Sequence, residues 1–157
     1  MSNPFVDQRR LIEGNAAVAI EAGIVLVTGP DRFDVLNATL SQDLRGLAVG
    51  ESRDALELDG QGRIQHSIHV LESSDGTLLV VPRASGADVA AWLDARIFME
   101  DVHAVDVTAR FSVWGGAVAF GDLAWTDPWP MITPGGVTYG ETEIPAWTLV
   151  ETLLPAG

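Results

Sequence analysis

The chain has 157 residues, a length that fits one folding unit, and its 22 acidic against 9 basic residues give a formal charge of -13. This charge repels phosphate backbones and anionic membrane surfaces, so neither nucleic acid nor membrane is an expected partner. Because the sequence contains no lysine and no cysteine, it excludes Schiff-base chemistry, thiolate nucleophiles and an iron-sulfur cluster held by this segment.

The N-terminal stretch has no apolar run of signal-peptide length and turns acidic soon after its arginine pair. No apolar stretch elsewhere in the sequence is long enough to span a bilayer. These features predict a soluble, cytoplasmic protein.

A buried strand followed at once by a helix is predicted near the N-terminus. Residues 23–29 form a short β-branched run that ends in glycine, which is typical of a buried strand. Thr28 or Asp31 can cap the helix that follows. Apolar residues then recur at helical spacing and need a sheet to cover: Phe33, Leu36, Leu40 and Leu44.

Three further strands are predicted at Ser52–Leu58, 63–71 and 77–81. The glycine-rich segments GQG and SSDG between them are turn sequences, so the connections are expected to be hairpins. Strands joined in this way form an antiparallel sheet.

A second helix is predicted from Ser85, which stands three residues before Asp88 in a capping-box-like start. Its apolar face comprises Val89, Trp92, Leu93 and Ile97. A strand at 102–107 completes a β-α-β-β-β-α-β order. This order predicts an α+β fold, in which a mostly antiparallel sheet is covered by two helices.

The chain divides into two predicted subdomains, 1–110 and 111–157. The second begins with a strand or strand pair at 111–121 and continues with short irregular strands, because five of the eight prolines lie there. Past Gly121 it also holds three tryptophans, Trp125, Trp129 and Trp147. These either cover the first subdomain or await a partner that the chain lacks.

The strand at 63–71 contains His66 and His69, which raises the question of a metal or catalytic site. In a regular strand Ile64 and His66 share one face and His69 lies on the other, so the two histidines cannot chelate one ion unless a bulge intervenes. His66 and Ser67 also face opposite ways, which excludes a catalytic dyad.

Two interpretations of His66 remain open: a core histidine, or a residue at a cavity rim that meets a ligand together with Gln65. His69 is expected to be solvated. The carboxylate pair Glu57 and Asp59, like Glu141 and Glu143, is expected to lie on a solvated surface.

The series of motifs resembles the YgfZ family of folate-binding proteins, relatives of the glycine-cleavage aminomethyltransferase. The resemblance rests on VTGPDRFDVLNATLSQDL, DGQGRIQHSIHV, DGTLLVVP and RIFMEDVHAVDVTA in colinear order, and it covers residues 5–109. It implies a GcvT/YgfZ-type folate-binding domain, tetrahydrofolate as ligand, and a role in the assembly or repair of iron-sulfur proteins, including enzymes of tRNA modification.

Two departures from the family pattern bear on activity. Relatives that move one-carbon groups carry an Asp-Asp pair where this sequence has Gln65 and His66, so the acid is missing. The family's lysine-glycine-cysteine segment is absent too. The chain is therefore expected to be the N-terminal portion of a longer protein or a degenerate paralogue.

The resemblance thus predicts a non-catalytic tetrahydrofolate-binding protein whose partners are folate and iron-sulfur client proteins. Gln65 and His66 would bind the pterin and Arg63 the anionic tail, with no metal. One alternative is a folate-dependent aminomethyltransferase or demethylase-like enzyme. Another is a protein-interaction domain without a small-molecule ligand.

Overall fold

The computed structural model describes residues 4–128 and 148–156. The predicted features at Trp129, Trp147, Glu141 and Glu143 lie outside these residues. The elements in chain order are α1 (Pro4–Ile12), β1 (Val18–Ile20), β2 (Ala22–Thr28), α2 (Arg32–Thr39), β3 (Ser52–Leu58), β4 (Ile64–Ser73), β5 (Gly76–Pro82), α3 (Gly86–Asp94), β6 (His103–Asp106), β7 (Phe111–Gly116), β8 (Leu123–Thr126) and β9 (Val150–Pro155).

Five antiparallel strands form a large sheet in the order β3-β4-β5-β2-β6. Helices α2 and α3 cover one face of this sheet. The core between them includes Leu36, Ile68, Val70, Leu79 and Leu93, all at most 1% exposed. The structure therefore confirms the predicted α+β class, the hairpins and the two covering helices.

A small sheet covers the other face of the large one. Its four strands are antiparallel in the order β1-β7-β9-β8. Ile24, Leu71 and Val80 of the large sheet meet Val113 and Leu153 of the small sheet in a second core. Because β5 is covered on both faces, its sequence is an unbroken apolar run rather than an alternating one.

The first covering helix is shorter than its sequence pattern predicts. Helix α2 ends at Thr39, so Leu40 and Leu44 reach the core from the following loop, where both are buried. The Asp31 side chain makes no capping bond; its Oδ2 atom instead accepts a hydrogen bond from the Asp101 backbone at 2.8 Å. Periodicity alone could not separate helix from a loop that returns to the same core.

The second covering helix begins as predicted, since the Ser85 side chain accepts a hydrogen bond from the backbone N–H of Asp88. Val89 and Leu93 are buried against the sheet. Ile97, however, lies beyond the last helical residue, Asp94.

Local sequence patterns predict neither α1 nor β1. Strand β1 pairs with β7, so residues 18–20 lie in the small sheet although they precede the large one in the chain. Trp125 is 3% exposed and packs between the sheets. For this tryptophan, the structure therefore supports the alternative in which it covers the first subdomain. The boundary at residue 110 stays a prediction.

No helix among residues 4–128 and 148–156 is long and apolar enough to cross a membrane.

Candidate functional site

The turn between β3 and β4 is organised by Asp59. Its Oδ1 atom accepts hydrogen bonds from the backbone N–H groups of Gln61, at 2.8 Å, and Arg63, at 2.9 Å. Its own backbone N–H donates to the Arg63 carbonyl at 2.9 Å. An aspartate that binds the backbone two and four residues later is a common turn device. The GQG segment is therefore held in one shape beside the predicted site.

A β-bulge follows the turn and changes the predicted side-chain directions. Glu57 pairs with His66, but the next residue, Leu58, pairs with Ile64, so Gln65 is the extra residue. Ile64 consequently shares a face with Leu58 and not with His66, which corrects the expectation from strict alternation. The bulge lies before His66 and leaves the His66 to His69 segment regular.

Gln65 is exposed at this bulge. Its amide nitrogen is 3.4 Å from Asp59 Oδ2 and 3.5 Å from the Arg63 carbonyl, both at the long end of the hydrogen-bond range. The apolar side chains beside it are also exposed, Leu58 by 40% and Ile64 by 62%. The hairpin end thus presents an adjustable amide flanked by apolar surface.

His66 is neither a core histidine nor isolated, which corrects the first of its two interpretations. Its Nδ1 atom lies 2.7 Å from Glu57 Oε2, and its side chain is 38% exposed. Glu57 is buried, with 7% of its side chain exposed, so the expectation of a solvated Glu57 is wrong. With the carboxylate accepting the Nδ1 proton, Nε2 is the ring atom left to meet solvent or a ligand.

Arg63 lies in the turn, one residue before β4 begins, and its side chain is exposed. The structure brings Arg63, Gln65 and His66 to one end of the hairpin. Their role in ligand binding stays a prediction.

His69 is not solvated, contrary to expectation. Its Nδ1 atom lies 2.8 Å from Glu151 Oε2, with only 12% of the His69 side chain and 3% of the Glu151 side chain exposed. Its ring stacks on Trp125 at a centroid distance of 3.8 Å and an angle of 8°. The polar face of β4 is thus an interface with β8 and β9, and no local pattern in the strand could reveal that.

Two further contacts surround this buried pair. The Trp125 indole N–H donates to the Arg53 carbonyl at 2.9 Å, which ties β8 to the large sheet. Asp54 pairs with His69 across β3 and β4. Although Asp54 as a residue is exposed, partial burial of its carboxyl raises its pKa, against an opposing effect of His69 and with a further rise from Asp127.

The two histidines of β4 therefore bind carboxylates on opposite faces of the large sheet. Among the residues that the structure describes, no group of three or more His, Cys, Asp or Glu side chains is placed to hold a metal ion.

Comparison with known proteins identifies a fold class but no family. No protein-family model and no curated protein matches the chain. The fold is similar to that of the glycine cleavage system aminomethyltransferase T from Bartonella henselae, with a TM-score of 0.57 and 20% sequence identity. The match covers 73% of this chain and 33% of that one, so the chain spans about a third of that protein's length. It has an aminomethyltransferase-T-like α+β fold.

Proposed function

We propose that the chain is the tetrahydrofolate-binding part of a YgfZ-type protein that serves the assembly or repair of iron-sulfur proteins without catalysing one-carbon transfer. The observation that carries the proposal is the aminomethyltransferase-like fold, combined with Gln65 and His66 at the positions where the catalytic relatives have aspartates. A fold can be retained while its chemistry is lost, because activity depends on the site residues.

The residues at the hairpin end fit a flat heterocycle with an amide edge. The Gln65 amide can both donate and accept, and His66 offers Nε2 while Glu57 holds Nδ1. Leu58 and Ile64 supply exposed apolar surface for a ring face. Tetrahydrofolate, when bound, would supply the nitrogens that carry one-carbon units.

The iron-sulfur role rests on the order of the sequence motifs. The chain has no cysteine, so in this role it acts on client proteins and does not hold a cluster through thiolates itself. Enzymes that modify tRNA through iron-sulfur clusters are the proposed clients. Their activity in cells that lack the protein is expected to fall and to return with the wild-type gene.

Isothermal titration of the complete protein with tetrahydrofolate tests the ligand. We expect binding, and about tenfold weaker binding for Gln65→Ala, since a lost hydrogen bond in a site costs roughly 1 to 1.5 kcal/mol. Gln61→Ala is the matched control, because Gln61 lies in the same hairpin but outside the proposed contact. No detectable heat from the complete wild-type protein would contradict the proposal.

A second candidate function is favoured by the Glu57–His66 pair. Although the aspartates of the catalytic relatives are missing, the structure places a buried carboxylate 2.7 Å from the His66 ring. An imidazole oriented by a carboxylate can act as a general base. This arrangement fits a folate-dependent aminomethyltransferase or demethylase-like enzyme.

Its test is the folate-dependent release of formaldehyde or methylene-folate from a glycine or sarcosine derivative. If the enzyme hypothesis holds, His66→Ala abolishes the release and Glu57→Gln lowers it, with Gln61→Ala again as control. A wild-type protein without this activity ends the hypothesis.

A further inference from the structure

We propose that Gln65 and His66 offer a ligand only hydrogen-bond acceptors, and that they therefore select a heterocycle with neighbouring N–H donors on one edge, such as a 2-amino-4-oxo pyrimidine. Glu57 and Asp59 would set this polarity as positioning residues, because their carboxylates hold the donor atoms of His66 and Gln65. The inference rests on the proposed function and specifies which edge of the ligand the site recognises.

The polarity of His66 is set by Glu57. The Nδ1 atom of His66 lies 2.7 Å from Glu57 Oε2, and a carboxylate oxygen only accepts. In the neutral imidazole the proton therefore lies on Nδ1, and Nε2 keeps its lone pair. Nε2 has no hydrogen-bond partner in the part of the chain that the structure describes, and the His66 side chain is 38% exposed. Nε2 is thus an open acceptor.

The orientation of the Gln65 amide is set by two acceptors. Its nitrogen lies 3.4 Å from Asp59 Oδ2 and 3.5 Å from the Arg63 carbonyl oxygen. The reverse orientation would place the amide oxygen against these two oxygens, none of which can donate. The long distances let the amide shift its position, but they do not favour an exchange of its two ends. The amide oxygen is therefore the end left for a ligand.

The Asp59 carboxylate is itself fixed by the turn. Its Oδ1 atom accepts hydrogen bonds from the backbone N–H groups of Gln61 and Arg63, at 2.8 and 2.9 Å. Rotation of the carboxylate away from Gln65 would break both bonds. The turn sequence therefore positions the acceptor that orients Gln65.

The bulge places the two open acceptors on adjacent residues. Glu57 pairs with His66 and Leu58 with Ile64, so Gln65 and His66 together oppose the single residue Glu57. A ligand at this end of the hairpin meets acceptors on both residues. An edge that presents a carbonyl oxygen to them leaves acceptor against acceptor, which costs binding energy. In a pterin, the ring N3–H and the 2-amino group form an edge of the required kind.

Competition against tetrahydrofolate on the complete protein tests the polarity. The two probes are tetrahydropterin and tetrahydrolumazine, in which a carbonyl oxygen replaces the 2-amino group, and the titrations are run at about pH 8, where a free imidazole is neutral. We expect tetrahydropterin to compete about tenfold more strongly, as for one well-made hydrogen bond against an unpaired acceptor.

Asp59→Asn tests the positioning role. Asparagine keeps a side-chain oxygen for the turn, but its amide group donates towards Gln65 and favours the opposite orientation of the Gln65 amide. We expect the preference for tetrahydropterin to disappear while the midpoint of urea unfolding stays unchanged. Asp75→Asn is the matched control, because it makes the same substitution in the turn at the other end of β4 and should keep the preference.

The outcomes separate this inference from the proposed function. A wild-type protein that gives no heat with tetrahydrofolate overturns the proposed function and the inference with it. If tetrahydrofolate binds but neither probe is preferred, the inference alone is overturned. An Asp59→Asn variant that keeps the preference, or that weakens both probes equally, shows that Asp59 does not orient Gln65.

The nitrogen-15 chemical shifts of His66 test the contribution of Glu57 without any ligand. A ring nitrogen that carries a proton and one that carries a lone pair resonate far apart, so the spectrum identifies the tautomer. We expect the proton on Nδ1 in the wild type, and a measurable share of it on Nε2 in Glu57→Gln, whose amide can donate to Nδ1. A wild-type His66 with its proton on Nε2, or with protons on both nitrogens at about pH 8, would overturn the inference.

Discussion

The His69 imidazole lies between the two sheets, bonded to Glu151 and stacked on Trp125. Glu151 is 2% exposed as a residue, so its carboxylate has little water to solvate it. A buried charge of this kind is tolerated when it is paired and hydrogen-bonded. The pair therefore joins β4 to β9, and removal of either partner alone would destabilise the fold.

The replacement His69→Ala is expected to lower the free energy of unfolding by about 3 kcal/mol, because it leaves the Glu151 carboxylate buried without its partner and opens a space under Trp125. Urea unfolding curves measure the change. His103→Ala is the control, since the His103 side chain is 74% exposed and 3.8 Å from Asp101. Equal losses for the two variants would refute the structural role of His69.

Asp54 carries an expected pH dependence. Partial burial raises its pKa, so the folded protein holds the proton more tightly than the unfolded chain does. The ionised carboxyl thus costs stability at neutral pH, and the cost disappears once the pH falls below the ordinary value of 3.8. Asp54→Asn is therefore expected to stabilise the protein at neutral pH and to lose this advantage in acid.

Asp106→Asn is the matched control of opposite sign. Hydrogen bonds from the Thr108 hydroxyl and backbone N–H hold the pKa of Asp106 below its ordinary value. Its ionised form stabilises the fold at neutral pH, and that contribution is lost as the pH falls through the lowered pKa. At neutral pH the unfolding midpoints of the two variants should shift in opposite directions, and both shifts should disappear in acid; a common direction at neutral pH would contradict the assignment.

At the scale of elements, the close approach of α3 to β2 depends on glycine. A Cβ atom at Gly23 would collide with the backbone nitrogen of Gly86 and lie 2.6 Å from the Ala84 carbonyl oxygen. Both neighbours are backbone atoms, which cannot rotate away as a side chain can. The start of α3 therefore requires glycine on the strand beneath it.

Gly23→Ala is expected to destabilise the fold by about 2 kcal/mol, in the range of other overpacking substitutions. Gly60→Ala is the control, because a Cβ atom at Gly60 meets nothing within 4 Å and its φ is not positive. Thermal unfolding compares the two variants. A Gly23→Ala protein as stable as Gly60→Ala would show that α3 can move away from the sheet at little cost.

At the scale of the whole molecule, the two sheets share a core. Ile24, Leu71 and Val80 of the large sheet are at most 1% exposed, and their cover includes residues from β7 and β9. These strands follow residue 110. The predicted first subdomain thus depends on the second for the burial of one face.

A fragment of residues 1–110 is expected to expose this apolar face and to unfold without a sharp transition. Binding of a hydrophobic dye and the steepness of the urea curve are the measurements, with the complete chain as reference. A fragment that unfolds cooperatively and excludes the dye would show that the first subdomain is stable alone.

Much of the fold could be predicted because its signals are local. The bounds of β3 were predicted to the residue, and the Ser85 cap of α3 was identified, since turn and capping preferences depend on a few neighbouring residues. The ends of α2 could not be predicted: Leu40 and Leu44 keep the helical spacing after the helix has ended, because the same core buries both helix and loop.

The candidate site was predicted less completely. Alternation along β4 correctly separated His66 from His69, but it could not locate the bulge at Gln65, which depends on the pairing with β3. The Glu57 partner of His66 follows from the same cross-strand pairing.

The sequence by itself determined the β-α-β-β-β-α-β order of the strands and helices between residues 23 and 107, the antiparallel hairpins and the alternation that points His66 and His69 in opposite directions. Only the tertiary structure decided what each of them meets. His69 pairs with Glu151, a residue 82 positions away in sequence, because the small sheet covers a face that the strand pattern marks as polar. Side-chain direction is a local property of the backbone, whereas burial and partners depend on segments that become neighbours only on folding.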